Sequence, residues 1–317
     1  MNISLPNTTA SEVSKELLRA RQSSGATTQG RVFTLVVVTT PPEAEEALAA
    51  SQLAATEHPS RILMLVDDPN AESSGLDAEV RLNRGSASSE TLVLHLRGEV
   101  AEHPASVVTA LLLPDSPVVV WWPTTSPVSP IDDPIGAVAD RRITDALGDA
   151  DPLQALRIRA ANHQPGDTDL TWTRLTQWRA LLAAALDQYP HPVTEAVVEA
   201  AEDNASAELM VAWLASRLDV PVHRLNSEGP GITRVKLVTE EGTIRITRTD
   251  ARHARFEIPG QPEREVALPR RILSELITEE LRRMDADEVF EETTRALLAR
   301  QNSDRADSPA SDEGDHR

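Results

Sequence analysis

The chain has 317 residues, a formal net charge of −19 and no cysteine. Its length suffices for one or two well-buried domains. An acidic surface repels phosphate backbones and anionic lipids, so we expect neither a nucleic-acid nor a membrane partner. Without cysteine the chain has no disulfide, no thiolate nucleophile and no cysteine-ligated metal. No stretch reaches the ~20 apolar residues of a membrane span, and the first residues lack the pattern of a signal peptide. We therefore expect a soluble, cytoplasmic protein.

The first part of the chain alternates between helical and strand patterns. The TASE sequence from Thr9 is a capping box and predicts a helix over residues 9–21. Apolar runs at 32–38 and 61–68 predict strands buried on both faces, and the Ala-rich segment between them predicts a helix, which completes a βαβ unit. Further strands are predicted at 78–83, 91–99 and 116–123, and a short helix at 105–113. Residues 1–126 are thus predicted to form an N-terminal α/β domain with a mixed sheet.

A proline-rich segment follows, with four prolines between Pro123 and Pro134. Such a segment is stiff and extended, so we predict a linker between domains at residues 127–136. Residues 137–300 are predicted to form a C-terminal α+β domain, in which helices accompany a small antiparallel sheet. The polar, acidic residues 301–317 are predicted to be disordered.

Within the second domain, residues 231–260 predict a three-stranded antiparallel meander with a turn at Glu240-Glu241-Gly242. Helical patterns predict helices at 137–147, 152–161, 173–188, 193–201, 205–218, 269–284 and 286–300.

The usual signatures of enzymes are missing from the sequence. We find no G-x-G-x-x-G after a strand, no phosphate-binding G-x-x-x-x-G-K-[ST], no G-x-S-x-G and no H-E-x-x-H. The turn after the first buried strand reads TTPPEA, where prolines remove the amides that would hold a phosphate. We therefore predict no cofactor, no metal and no catalytic residue.

Tryptophan and arginine are concentrated in three stretches, at 118–123, 140–147 and 166–188. Trp121 and Trp122 are adjacent on a predicted strand and point to opposite faces, so both are buried only if both faces of the sheet are covered. In the third stretch, Trp178 belongs to a helical stripe that is typical of a core-facing surface. Asp169 lies where an N-cap is favoured.

Two local pairs are also predicted from spacing. Arg174 precedes Trp178 by four residues, which places a cation–π contact within reach. Arg141 and Asp145 form an i, i+4 pair if their segment is helical. Arginine with tryptophan is typical of the energetic centres of protein interfaces, and also of sites for sugar phosphates, so both interpretations remain open. In a third interpretation these residues are simply core and ion pairs.

Taken in chain order, these stretches resemble a known family. VVVWWP with the proline-rich segment, RRITD, and PGDTDLTWTRLTQWR are similar to the glucose-6-phosphate dehydrogenase assembly protein family, OpcA. The N-terminal LPNTTASEVSKELLRAR followed by GRVFTLVVVT is similar as well, so the resemblance extends over about residues 5–300.

The resemblance implies a non-catalytic partner that promotes assembly and activity of glucose-6-phosphate dehydrogenase in the oxidative pentose phosphate pathway. The composition suits an actinobacterial member. Control through thioredoxin, which is linked to cysteines in cyanobacterial relatives, does not carry over to a chain without cysteine.

The family has no established catalytic residues, so the motif residues carry over only as candidates for binding a partner or ligand. We expect them to line the junction of the two halves beside the proline-rich segment, and to hold a surface for the dehydrogenase or bind a small anionic metabolite. The alternative is a sugar-phosphate-binding protein or an unrecognised enzyme that uses the same cluster. The candidates are Trp121, Trp122, Arg141, Arg142, Asp145, Asp167, Asp169, Trp172, Arg174, Trp178 and Arg179.

Overall fold

The computed structural model describes residues 1–24, 33–82 and 90–307. Residues 301–307 of the predicted disordered tail are helical, and the rest of that tail, from position 308 onward, lies outside the described residues. The helices are α1 (Ala10–Ser24), α2 (Ala44–Glu57), α3 (Pro104–Thr109), α4 (Pro152–Ala161), α5 (Leu170–Thr173), α6 (Thr176–Gln188), α7 (Ala205–Leu218), α8 (Leu273–Glu280) and α9 (Glu288–Asp307). None of the helices in this part of the chain is long and apolar enough to cross a membrane.

The chain forms two compact units, and neither is continuous in sequence. The first unit contains Met1–Ala155, Gln164–Arg174 and Arg270–Asp287, and the second contains Leu156–His163, Leu175–Pro269 and Glu288–Arg317. This division differs from the predicted linker at 127–136. The first unit extends to Ala155 because strands that follow the proline-rich segment join its sheet.

The first unit is built on an eight-stranded mixed sheet, as predicted. Six strands are parallel, and two antiparallel strands extend one edge. The spatial order is β1-β4-β5-β3-β2-β6-β7-β8. The strands are β1 (Asn2–Leu5), β2 (Phe33–Thr39), β3 (Ser60–Asp68), β4 (Gly75–Leu82), β5 (Glu90–Arg97), β6 (Val118–Trp121), β7 (Arg141–Thr144) and β8 (Asp167–Asp169).

The six parallel strands have the doubly wound order of dinucleotide-binding folds. Numbered along the chain among themselves, β5-β3-β2-β6-β7-β8 reads 3-2-1-4-5-6. The strand order reverses between β2 and β6, and ligands of such sheets bind outside the carboxyl ends of the strands at this point. The glycine-rich turn that normally accompanies this fold is absent, because Pro41 and Pro42 follow β2.

Both faces of this sheet are covered by helices, which explains the unbroken apolar runs. On β2, Val36 belongs to a cluster that includes Val13 and Leu17 of α1, whereas Leu35 and Val37 belong to the opposite cluster. The opposite cluster also receives α2 and α8. Helix α1 starts with the predicted capping box: the Glu12 amide donates to Thr9 Oγ1, and the Thr9 amide donates to Glu12 Oε2.

The second unit is built on a six-stranded sheet with the order β10-β9-β11-β12-β13-β14. The predicted meander is present as β11 to β13, and only the β9–β10 pair is parallel. The strands are β9 (Val193–Ala200), β10 (Val222–Asn226), β11 (Ile232–Thr239), β12 (Gly242–Arg248), β13 (His253–Glu257) and β14 (Arg264–Ala267). Helix α7 packs on β9 and β10 and against α9.

Two predicted helices are wrong. Residues 137–147 contain β7 between two short 3₁₀ turns, and residues 193–201 are β9. In β9, the residues Ala196, Val198 and Ala200 alternate towards the core, with a period of two that fits a strand. In both segments pairing with a distant strand outweighs local helix propensity.

The other helix predictions need smaller corrections. The predicted helix at 173–188 is divided into α5 and α6 at residues 174–175, and the helix at 269–284 is shortened to α8. Helices at 152–161 and 205–218 are confirmed with the predicted bounds.

Candidate functional site

The candidate residues of the first unit lie at the edge of its sheet, on β7, β8 and the segments that follow them. Strand β7 pairs in parallel with β6, and β8 pairs in parallel with β7. Asp145 follows β7 and Asp169 ends β8. Parallel pairing therefore brings both acids to the same edge of the sheet, at the carboxyl ends of the strands. Arg141, Arg142 and Asp167 lie at the opposite ends of these short strands.

Arg142 is a buried arginine whose donors are all directed at oxygen atoms of this chain. Its Nε donates to the Asp167 carboxylate, Nη1 donates to the Ala139 carbonyl at 2.8 Å, and Nη2 donates to the Pro165 carbonyl at 2.6 Å. The close approach requires glycine at 166, which has φ +91°; a Cβ there would lie 2.6 Å from the Asp140 carbonyl oxygen. Arg142 therefore fixes the loop before β8.

Asp145 and Arg174 form a two-pronged ion pair. Nη1 and Nη2 of Arg174 donate to Oδ1 and Oδ2 of Asp145, both at 2.8 Å. Burial raises the pKa of the Asp145 carboxyl, and the Arg174 guanidinium opposes this rise. The predicted pair between Arg141 and Asp145 is wrong, because their segment is a strand rather than a helix.

Asp169 caps α5, as the sequence suggested. Its Oδ1 accepts from the Thr171 amide at 2.9 Å and from the Thr171 hydroxyl at 2.6 Å. Its Oδ2 accepts from the Thr144 hydroxyl at 2.6 Å, and both oxygens lie 3.1 Å from the Ala146 amide. Four donors therefore surround one buried carboxylate, which links the end of β7 to the start of α5.

Arg141 and the neighbouring Trp172 hold a segment that lies far away in sequence. Arg141 donates to the Glu280 carboxylate and to the Asp285 carbonyl, the latter at 2.7 Å. Trp172 Nε1 donates to Asp287 Oδ2 at 2.8 Å. These contacts tie residues 270–287 into the first unit, over sequence separations of more than 100 residues.

Sequence reasoning missed the partners in that segment. Thr173 donates from its hydroxyl to Glu280 Oε1 at 2.6 Å, and Arg271 donates to the Thr173 carbonyl at 3.3 Å. Arg271 also forms an ion pair with Glu279 at 2.5 Å. No spacing in the sequence marks the two contacts of Thr173, because they span about 100 positions and depend on where α8 packs.

The tryptophan pair behaves as predicted from strand alternation. Trp121 is completely buried in the cluster that contains α2 and α8, and Trp122 is buried in the cluster on the other face. The Trp121 indole nitrogen has no hydrogen-bond partner within the described residues. Both rings therefore serve the core of the first unit.

Trp178 and Arg179 belong to the second unit. Trp178 is buried, as its helical stripe predicts, and the guanidinium that lies over its ring, 5.4 Å from the centroid, is that of Arg248. The prediction that Arg174 stacks on Trp178 is thus wrong, since Arg174 is engaged with Asp145. Arg179 is partly exposed and donates to the Thr176 hydroxyl at 3.2 Å.

Chemically, the candidate residues of the first unit form an internal framework of paired charges. Nine of the eleven candidates are at most 9% exposed, the two exceptions being Arg174 and Arg179. The three carboxylates each accept hydrogen bonds from arginine, hydroxyl or amide groups of this chain. Such an arrangement supplies structure more readily than proton transfer, because the groups that would move a proton are already engaged.

Two family profiles match the chain in succession. One is described as the glucose-6-phosphate dehydrogenase subunit N-terminal domain and matches residues 51–161; the other, its C-terminal domain, matches residues 165–294. The chain belongs to the OpcA family of glucose-6-phosphate dehydrogenase assembly proteins. The boundary between the two profiles falls near the end of α4 rather than in the proline-rich segment.

Curated relatives carry the same family name. The OpcA protein of Synechococcus elongatus, named for the OxPP cycle, is 30% identical over 72% of this chain and 52% of its own length. That of Nostoc punctiforme is 26% identical over 67% of this chain and 48% of its own length. This OpcA chain thus spans about half the length of the curated relatives it matches.

Among solved structures, an oxidoreductase from Sinorhizobium meliloti is similar with a TM-score of 0.48 at 9% identity, covering 86% of this chain and 98% of that one. A NAD-binding oxidoreductase from Klebsiella pneumoniae is similar with a TM-score of 0.45 at 9% identity, over 86% and 97% of the two chains. TM-scores and identities this low assign no activity to the OpcA chain.

Proposed function

We propose that this chain is a non-catalytic assembly factor and activator of glucose-6-phosphate dehydrogenase, working in the cytoplasm by protein–protein contact. The observation that carries the proposal is the match of both family profiles, which together extend from residue 51 to residue 294. The internal engagement of the carboxylates in the candidate cluster supports a role without bond-making chemistry.

Assembly without chemistry works by mass action. A protein that binds only the active oligomer of an enzyme stabilises that oligomer by RT ln(1 + [L]/Kd), about 2.7 kcal/mol at a hundredfold excess over Kd. Activation by this route requires only that the factor binds the active oligomer more tightly than the inactive form.

The first experiment mixes the chain with dilute, partly dissociated dehydrogenase and follows both activity and mass, the latter by size exclusion with light scattering. We expect activity to rise with added chain and saturate, together with the appearance of a species that contains both proteins. Unchanged dehydrogenase activity and mass at saturating concentrations of the chain would contradict the proposal.

The proposal includes docking of the dehydrogenase on the candidate residues. The exposure of each side chain decides which of them test this role. Arg174 and Arg179 are the candidates with exposed surface, so the Arg174→Ala, Arg179→Ala double variant is the relevant one. We expect weaker activation of the dehydrogenase. The matched control is Arg157→Ala, an exposed arginine on α4. A double variant that folds and activates like the control would remove the cluster from docking.

Binding of a sugar phosphate or other anionic metabolite is tested separately. Arg141, Arg142 and Arg174 each hold a carboxylate of this chain, which makes them poor donors to a phosphate group. We therefore expect no thermal stabilisation by glucose 6-phosphate, 6-phosphogluconate or NADPH. A clear concentration-dependent rise in melting temperature would favour the ligand-binding alternative, since a ligand of the native state must stabilise it.

A further inference from the structure

The carboxyl ends of the parallel strands, where a doubly wound sheet binds its ligand, carry a segment of the chain itself. Trp122 directly follows β6 and belongs to the same apolar cluster as Ile135. Gly136 packs between Trp122 and Pro130, and Pro130 is the start of this segment. A Cβ at Gly136 would lie 1.8 Å from the Pro130 carbonyl oxygen and 3.2 Å from Cη2 of Trp122. Pro130, Ile135 and Gly136 are buried.

The same segment extends an acid towards the neighbouring end of β3. Asp133 Oδ1 accepts from the amides of Ile135 at 2.8 Å and Gly136 at 3.0 Å, so its carboxylate holds the turn together. The charge of Asp133 acts on Asp67, at the end of β3. Strands β3 and β6 flank β2, so the segment reaches both strands beside the point where the strand order reverses.

Asp67 is in an unusual position for a carboxylate. Its Oδ1 is buried and has no hydrogen-bond partner within residues 1–24, 33–82 and 90–307. Burial, and after it the charge of Asp133, raise the pKa of Asp67 to about 6. A partly buried carboxylate with one unpaired oxygen, next to a second acid, is costly when both are charged.

Within the part of the chain that the structure describes, no basic group opposes the effect of Asp133 on the pKa of Asp67. On β5, Leu96 is the register partner of Asp67. His95 and Arg97 point to the opposite face of the sheet from Leu96, and Arg97 pairs with Asp77. The 3₁₀ turn Gly98–Glu102, which packs on the same strands, contributes only the exposed acids Glu99 and Glu102. Asp68 alternates to the other face, and Asp132 accepts from the Ser129 hydroxyl.

We propose that residues 130–136 form a strap that fills the ligand crevice of the first unit, and that Asp67 and Asp133 are its proton-dependent latch. The strap is held closed when Asp67 is protonated and is loosened when both acids are charged. This places a pH-sensitive device beside the point where the strand order of the sheet reverses, and it is independent of what the chain binds as a partner.

Proton linkage gives the direction in which a change of pH shifts the equilibrium between the closed and the open strap. The pKa of Asp67 is about 6 with the strap closed, against an ordinary value of 3.8 when the carboxyl is solvated. The closed state therefore binds more protons, and closure weakens as the pH rises from about 4 through 6. With these two values the opening equilibrium increases about tenfold between pH 5 and pH 8.

The test is native-state hydrogen exchange of the full chain, read by mass spectrometry on peptides covering residues 130–139 and corrected for the intrinsic pH dependence of exchange. We expect protection of the amides of Ile135 and Gly136 to fall about tenfold from pH 5 to pH 8. In Asp67→Asn, which keeps the shape and loses the charge, we expect less than a twofold change. In Asp68→Asn, the control on the same strand, the wild-type dependence should persist.

A second variant keeps the proposal testable if Asp67→Asn folds poorly. Asp133→Asn retains an oxygen that can accept from the two amides but removes the opposing charge, so the pH dependence should become smaller. The strap-and-latch proposal is overturned if wild-type protection is independent of pH, or if Asp67→Asn and Asp133→Asn both retain the full tenfold change.

Discussion

At the residue scale, the arginines of the first unit act as buried connectors. Arg141 and Arg142 are both less than 5% exposed, and each is paired with an acid that the sequence does not place nearby. Pairs of this kind are worth little net stability when formed. Removal of one partner is expensive, because the other charge remains buried.

Replacement of Arg142 by alanine tests this reasoning. Asp167 would keep a buried charge, and the carbonyls of Ala139 and Pro165 would lose their donors. We expect a loss of about 3–5 kcal/mol in the free energy of unfolding. Urea denaturation measures the change, with the exposed Arg157→Ala as control within about 0.5 kcal/mol of wild type. A loss below 1 kcal/mol would show that water replaces the arginine.

Residue-level predictions succeeded where one local rule decides the outcome. The Asp169 cap follows from side-chain reach within two residues, and burial of Trp121 and Trp122 on opposite faces follows from strand alternation. The pairs Arg141–Asp145 and Arg174–Trp178 failed, because charged side chains choose partners across space. Their spacing was permissive, but Arg141 pairs with Glu280 of α8, and Arg174 pairs with Asp145, which follows β7.

At the element scale, α8 is the piece whose role was least visible in the sequence. It is a short helix, yet Leu276 and Ile277 are completely buried in the same cluster as Trp121. Helix α8 packs against α2, more than 200 residues earlier in the chain, so it covers one face of the eight-stranded sheet. Its amphipathic pattern predicted a helix but could not indicate which sheet it covers.

The contribution of α8 is measured by Ile277→Ala. The substitution removes buried methyl groups and leaves a cavity under α2, so we expect a loss of about 2–5 kcal/mol in the free energy of unfolding. Ile272→Ala, one residue before α8 and 61% exposed, is the matched control and should change stability by less than about 0.5 kcal/mol. Equal losses in the two variants would mean that α8 is not seated on the sheet.

At the scale of the whole molecule, the two compact units are interleaved in sequence. The chain passes from one unit to the other five times, after Ala155, His163, Arg174, Pro269 and Asp287. The first unit is therefore incomplete until residues 270–287 have been added. A cut at the proline-rich segment or at residue 174 separates parts of one hydrophobic core.

A fragment of residues 1–174 provides the corresponding prediction. It lacks Leu276, Ile277 and Leu281, so the cluster around Trp121 is left open on one side, and Arg141 loses Glu280. We expect the fragment to bind a hydrophobic dye and to melt without a cooperative transition. Addition of a peptide of residues 270–287 should reduce dye binding. A fragment that melts cooperatively near the temperature of the full chain would contradict this view.

The sequence by itself determined the properties that depend on neighbours in the chain and on composition. It determined the buried βαβ unit, the capping box of α1, the antiparallel meander and the OpcA resemblance, which the two family profiles confirm. It also excluded cysteine chemistry. These outcomes rest on apolar periodicity, capping geometry and motif order, which can all be read over short distances.

Only the tertiary structure decided how distant segments combine. It assigned residues 141–144 and 193–200 to strands, completed the doubly wound order, and placed 270–287 in the first unit. It also brought Asp133 to Asp67 and turned most of the candidate cluster into an internal framework. The physical reason is common to all of these: strand pairing and buried charge pairs take their energy from partners far along the chain, which no local pattern specifies.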